Sequence, residues 1–209
     1  MAVIASAAVR GRPAPAAGRS PTRPVVFLDK DGTLIEDLPY NIDPRRIRFA
    51  PGARKAVRLL GEAGATLVIV TNQSGVARGY FSAAELAAVE EHLASELAGL
   101  GAKLAGFYFC PHVEPGMGVN EFARDCDCRK PASGLVTQAR AELGLEAAGG
   151  WFVGDTWMDV VAGRRAGCRT IMVGPDARLA HELPPDRQPD HAVADLLEAA
   201  RIILAEATS

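Results

Sequence analysis

One nine-residue run constrains this chain more than any other feature: Val25-Val26-Phe27-Leu28-Asp29-Lys30-Asp31-Gly32-Thr33. Its apolar half reads as a buried strand, and the glycine marks the turn that ends it. Side chains alternate along a strand, so Asp29 and Asp31 would share a face if the strand continued. They are the only acidic residues between Met1 and Ile35. One could hold Mg²⁺ and attack phosphorus while the other moves a proton. The plainer alternative is an Asp-Gly turn of the kind that often closes a strand.

A chain of 209 residues, 48% hydrophobic, suits one domain or one domain with a small insertion. The formal charge is −2, unevenly spread. Arg10, Arg12, Arg19 and Arg23 meet no acid in residues 1–24, so removing those four positives leaves −6 on the remainder. An acidic body argues against nucleic acid as a partner. Residues 1–24, rich in Ala, Pro, Gly and Arg, are expected to form a disordered tail ahead of a domain over 25–209. Met1–Val9 lacks the basic start of a signal peptide, and no apolar run reaches the ~20 residues needed to span a bilayer. Four cysteines, three of them bunched, point to a metal cluster in a reducing cytoplasm rather than a disulfide framework.

After Pro24, strand and helix patterns alternate. Strands are expected at Val25–Leu28, Thr66–Val70, Leu104–Phe109, Trp151–Val153 and Thr170–Val173, most of them continuous apolar runs suited to parallel strands buried on both faces. Helical patterns follow Pro51, the capping box Ser82-Ala-Ala-Glu85, and span Gly134–Leu143, Asp159–Ala166 and Ala192–Ala205. The alternation predicts an α/β fold with a doubly wound parallel sheet. Glu36–Ala50 and Pro111–Lys130 fit neither pattern, and long irregular segments in compact domains are usually functional or disordered.

In open parallel sheets ligands bind beyond the carboxyl ends of the strands. The polar residues fall there repeatedly: Asp29-Lys-Asp31 after the first strand, Thr71-Asn72-Gln73-Ser74 after the second, Gly154-Asp155 after the fourth, with Arg129-Lys130 ahead of a helix. Each has a use in moving a phosphoryl group. Asp29 is the candidate nucleophile, and Asp31 the candidate acid and base. Asp29, Asp155 and a backbone carbonyl near Asp31 would hold Mg²⁺. Lys130 and the Thr71 hydroxyl would face the phosphate oxygens. Asp159 reads first as an acid complementing a helix N-terminus.

These motifs, Asp29-x-Asp31-Gly-Thr, Thr71, Lys130 and Gly154-Asp155-x₃-Asp159, resemble those of the haloacid dehalogenase superfamily of aspartyl-phosphate hydrolases. The resemblance spans about Val25 to Gly174 and implies a Rossmann-like fold, Asp29 as nucleophile, Asp31 as general acid and base, and Mg²⁺ as cofactor.

Cys110-Pro-His112 and Cys126-Asp-Cys128 bracket the second irregular segment. Three thiolates and an imidazole make a closed set of the kind that binds structural zinc; buried cysteines beside an incidental histidine are the alternative. Cys128 precedes Arg129 and Lys130 directly, so a zinc clamp would fix both cations. The loop 110–128 is similar to that of a zinc-loop branch containing heptose-bisphosphate and histidinol-phosphate phosphatases. Thr71–Gly79 with Phe81 resembles the heptose-bisphosphate members, which implies hydrolysis at position 7 of D-glycero-D-manno-heptose 1,7-bisphosphate, with histidinol phosphate as the alternative substrate. By that likeness the substrate contacts are Asp37, Tyr40, Thr71, Asn72, Gln73, Ser74, Arg129 and Lys130. Lys30 and Thr156 depart from the branch, which more often has Arg and, in some members, Lys there. No large cap domain is evident. A 3′-phosphatase of nucleic acid and a non-catalytic zinc-stabilised binding protein are further alternatives; a small phosphorylated sugar is the expected partner. The oligomeric state is left open, a monomer included.

Overall fold

The computed structural model describes residues 23–146 and 149–207. The expected tail therefore lies, up to residue 22, outside the described residues. Six strands form one parallel sheet: β1 (Val25–Leu28), β2 (Thr66–Asn72), β3 (Leu104–Cys110), β4 (Trp151–Gly154), β5 (Arg169–Val173) and β6 (His191–Val193). Their order is β3-β2-β1-β4-β5-β6. The chain thus winds outward from β1 on one side, returns to lay β4 against the other side of β1, and winds outward again. Val26 of β1 pairs with Leu67 on one side and Trp151 on the other. Such a reversal opens a crevice at the carboxyl ends of β1, β2 and β4, where ligands bind in open α/β sheets.

Five α-helices cover the sheet: α1 (Ala53–Glu62), α2 (Leu86–Gly99), α3 (Gly134–Leu143), α4 (Trp157–Arg165) and α5 (Leu196–Ala207). Alternation in β1 sends Val26 and Leu28 into a core with α1, α2 and α5, through Val57, Leu60, Leu93, Leu97 and Ile203. Phe27 enters the opposite core with Leu135 and Val136 of α3 and Ala162 of α4. Each fully buried large apolar side chain contributes roughly 1.5–3 kcal/mol. Burial on both faces is why the strands lack polar alternation.

Three elements differ from expectation. The helical pattern begun at Ala192 is instead a strand, β6, followed by α5. His191–Val193 pairs with Ile171–Val173 of β5, and Asp195 then starts α5 by accepting the Glu198 N–H at 2.9 Å. Helix α4 starts at Trp157 rather than Asp159, because Thr156 and Asp159 form a capping box ahead of it. Strand β2 runs on through Thr71 and Asn72, which pair with Phe109 and Cys110. Of the irregular segments, 36–50 holds one 3-10 turn, Pro44–Arg46, capped by Asp43. Among the described residues there is no large cap domain, and no helix is long and apolar enough to cross a membrane.

Gly163 shows packing overruling propensity. Helix propensity favours Ala over Gly by about 1 kcal/mol. Here a Cβ would sit 2.6 Å from Phe152 Cβ and 2.9 Å from Thr170 Cγ2. Gly163→Ala is expected to lower stability by about 1–3 kcal/mol, read as a lower denaturation midpoint; a midpoint at or above that of the parent would refute the packing argument.

Candidate active site

Strand β1 carries Asp29 to the crevice, where its backbone N–H still donates to Val153 of β4 at 2.9 Å. Asp29 Oδ1 accepts the Lys30 N–H at 2.7 Å and lies 2.7 Å from Lys130 Nζ. Oδ2 makes no hydrogen bond with the described residues. Lys130 is only 3% exposed and reaches in from the segment before α3. Its ammonium also lies 2.6 Å from Asp159 Oδ1 and donates to the Val70 carbonyl at 3.2 Å. Ligand oxygens of Asp29, Asp155 and Asp159 all fall within 4.8 Å of one another. Three carboxylates around one lysine leave a surplus of negative charge, and hard oxygen donors in that number suit Mg²⁺.

The electrostatics record that crowding. Burial, and after it Asp159, pushes the Asp29 carboxyl up to about 7 despite Lys130. Burial and Asp159 likewise push Asp155 up to about 6. Burial alone would depress Lys130, but Asp159 and Asp29 outweigh it and keep the ammonium charged well above its usual range.

Two glycines make the approach possible. At Gly32, φ is 75°, and a Cβ would lie 2.2 Å from Asp155 Oδ2. At Gly154 a Cβ would lie 2.3 Å from Asp159 Cγ. Asp159 uses its two oxygens differently, as the expected helix-start acid and in an ion pair that its spacing did not announce. One oxygen caps α4, accepting the Thr156 N–H at 3.1 Å and its hydroxyl at 2.6 Å; the other meets Lys130.

Asp31 stands at the rim of this group rather than within the carboxylate cluster. Lys30 Nζ lies 2.5 Å from its Oδ1, and Gln73 Nε2 donates to its Oδ2 at 3.0 Å. Gln73 also donates to Thr71 Oγ1 at 3.0 Å, so one amide ties the two strand ends together. Asn72 clamps the lysine backbone: its Oδ1 accepts the Lys130 N–H at 3.0 Å and its Nδ2 donates to the Lys130 carbonyl at 3.2 Å. Both amides, expected at the substrate, are thus engaged with the protein. These roles of Lys30, Asn72 and Gln73 carry no signature in sequence, because each depends on a partner brought near only by the sheet. Asp37 acts electrostatically on Asp155 from an exposed position. Tyr40 is exposed on the β1–α1 loop, Ser74 half-buried beyond β2.

Cys110, His112, Cys126 and Cys128 also converge, each offering an atom within 4.8 Å of the others. The Cys110 sulfur lies 3.3 Å from that of Cys128 and 3.7 Å from that of Cys126; His112 Nδ1 lies 3.2 Å from Cys128 and 3.5 Å from Cys110. No disulfide forms. The separations approximate the edges of a tetrahedral ligand shell with Zn–S near 2.3 Å. Three of the four side chains resist taking a charge. The Cys110 contact and burial raise Cys128, and burial raises Cys126 and lowers His112. Arg129 follows directly and donates to the His112 carbonyl at 3.1 Å, which couples the cluster to the crevice.

Comparison with known proteins agrees with this geometry. A HAD-hydrolase-like family model matches residues 127–199. The D-glycero-beta-D-manno-heptose-1,7-bisphosphate 7-phosphatase of Pasteurella multocida is 42% identical over 149 residues, 71% of this chain and 80% of that protein. The D,D-heptose 1,7-bisphosphate phosphatase of B. bronchiseptica, solved with magnesium and phosphate, superposes with a TM-score of 0.71 at 31% identity, covering 88% of this chain and 99% of that one. A solved HAD-like protein of Mesorhizobium loti gives 0.74 at 33% identity, covering 94% and 92%. With that identity and coverage, the chain belongs to the HAD-like hydrolases, in the family of the D-glycero-beta-D-manno-heptose-1,7-bisphosphate 7-phosphatases.

Proposed function

We propose that the protein is a cytoplasmic, Mg²⁺-dependent phosphatase that removes the 7-phosphate of D-glycero-D-manno-heptose 1,7-bisphosphate. One observation carries this reading: Lys130 bridges Asp29 and Asp159, with Asp155 in the same carboxylate group, at the strand ends where this fold class binds ligands. The 41–42% identical relatives named as 7-phosphatases of this sugar support the substrate.

Asp29 Oδ1 is held by Lys130 and the Lys30 N–H, which leaves Oδ2 to attack phosphorus. As the Asp29–phosphorus bond forms, the bond to the sugar oxygen breaks, and Asp31 gives that oxygen its proton. Asp31 then takes a proton from the water that releases phosphate and restores Asp29. Lys130 and Thr71 face the charge developing on the phosphoryl oxygens. Asp29, Asp155 and the Asp31 carbonyl would hold Mg²⁺, which when bound offsets the charge between carboxylate and phosphate. The cysteine and histidine cluster would hold Zn²⁺ as a closed structural site that fixes Arg129 and Lys130.

Steady-state assay against the heptose bisphosphate, fructose 1,6-bisphosphate and histidinol phosphate tests the substrate; a preference for histidinol phosphate would overturn it. Asp29→Asn is expected to abolish turnover, and Asp31→Asn to cost about 10²–10⁴ in kcat. Appreciable turnover by Asp29→Asn would remove it from its role.

The raised carboxyls also set a pH dependence. A carboxyl whose pKa rises on folding stabilises the fold while protonated, and that stability is lost as pH climbs. The metal-free protein should therefore lose stability between pH 4 and 7, from the ordinary value of 3.8 to the folded values of about 6 and 7. Mg²⁺ displaces those protons, so its stabilisation should be larger at pH 8 than at pH 5.5. At 100-fold excess over Kd it is worth ~2.7 kcal/mol, read by thermal unfolding. Equal shifts at both pH values, or a full shift in Asp155→Asn, would count against this metal site.

Cys128→Ser is expected to reduce bound zinc, measured by elemental analysis, and to lower both unfolding temperature and kcat/KM. Zinc bound at one equivalent in that variant would contradict the assignment.

A further inference from the structure

Five large hydrophobic side chains are exposed among the described residues, and four of them, Tyr40, Tyr80, Met117 and Val119, lie on three loops that meet at one rim. The loops are fastened together. Ala77 N–H donates to the Pro111 carbonyl at 3.2 Å, Val119 N–H to the Ala77 carbonyl at 2.9 Å, and Asn120 Nδ2 to the Val76 carbonyl at 2.8 Å. Val119 packs so close to Gly79 that a Cβ there would sit 2.8 Å from it. The β1–α1 loop joins the group through one contact: the Tyr40 and Tyr80 rings meet edge to face, centroids 4.6 Å apart and planes at 74°.

Tyr40 is also the one non-glycine residue with positive φ among those described, at 56°. A side chain in that region is strained and persists where its surroundings over-determine it. Its rim is on the catalytic side: the loops bearing Tyr40 and Tyr80 leave the carboxyl ends of β1 and β2, and Tyr80 N–H donates at 2.9 Å to the carbonyl of Gly75, two residues past Gln73, whose amide donates to Asp31. Yet Tyr40 is 47% exposed and Tyr80 60% exposed, so little else packs on either ring. An aromatic surface left open beside a phosphate site and braced by a second ring suits the carbon-bound face of a sugar, with polar groups elsewhere fixing its orientation.

We infer that Tyr80 is a positioning residue for sugar recognition: its ring braces Tyr40, and the Tyr40 ring forms the wall on which the carbohydrate part of the substrate rests. This deepens the proposed reading and rests on it for the class of substrate. Tyr80 acts through Tyr40, and its ring rather than its hydroxyl carries the effect. An edge-to-face pair of this kind contributes enough to change binding by about three- to tenfold.

The test is steady-state kinetics of the full-length enzyme with Mg²⁺, comparing Tyr80→Ala, Tyr80→Phe, Tyr40→Ala and the double alanine variant. Tyr80→Ala should raise KM for the heptose bisphosphate by about three- to tenfold with kcat nearly unchanged. Tyr80→Phe should match the parent, and the double variant should be no worse than Tyr40→Ala alone, since coupled residues do not add. Inhibition by inorganic phosphate, which probes the phosphate site without a sugar, should keep its constant in all four. A KM unchanged in Tyr80→Ala, a Tyr80→Phe as impaired as Tyr80→Ala, or additive effects would overturn the inference. A parent enzyme that rejects the heptose bisphosphate but cleaves another sugar phosphate would instead sink the substrate, and the same KM comparison on that sugar would still decide the role of Tyr80.

Discussion

A buried ammonium held between two buried carboxylates is the constraint on which this molecule turns. Lys130 can occupy its place only because Asp29 arrives on β1 and Asp159 on α4, elements brought together by the sheet reversal beside β1. Desolvating three charges is costly, and removing one partner of such a buried group typically costs about 3–5 kcal/mol. The fold accepts that cost at the site where phosphate chemistry needs fixed charge in a dry environment. Supporting residues follow from it. Asn72 pins the lysine backbone, Gly32 and Gly154 let the acids close in, and the Thr156–Asp159 cap aims one carboxylate along the helix start.

The two clusters that could hold a metal play different parts in the structure. The carboxylates meet the Lys130 ammonium at the strand ends. The cysteines and His112 lie beyond them, yet they bound the segment that delivers Arg129 and Lys130, and Arg129 ties back to the His112 carbonyl. Losing the order of that loop would move the cations without touching Asp29. The backbone ahead of Lys130 is therefore tied to the cysteine and histidine cluster rather than to the carboxylates.

Much of this was legible in the chain. Continuous apolar runs located five of the six strands, since parallel strands buried on both faces show no polar alternation to confuse them. Asp29, Lys130 and Asp155 were legible because strand-end acids and a cation after a cysteine pair are rare local patterns. His191–Val193 was missed: three residues carry no period, and their pairing with β5 is a backbone matter invisible in side chains. Asp159 showed its capping spacing but not its ion pair with Lys130, which lies 29 positions earlier. Asn72 and Gln73 looked like ligand contacts for the same reason. Amides at strand ends carry no mark of whether they will face solvent or a neighbouring backbone.

The central place of β1 has a consequence for synthesis. Its partners on the two sides are made far apart in time: residues 66–69 soon follow, but Trp151–Val153 emerge only after some 120 residues. Until then a growing chain can assemble three adjacent strands while one margin of its most apolar ribbon stays bare, a surface prone to pairing with neighbours. The late half of the protein is thus the chaperone of the early half, shielding that margin in the same movement that delivers the last acids to the catalytic crevice.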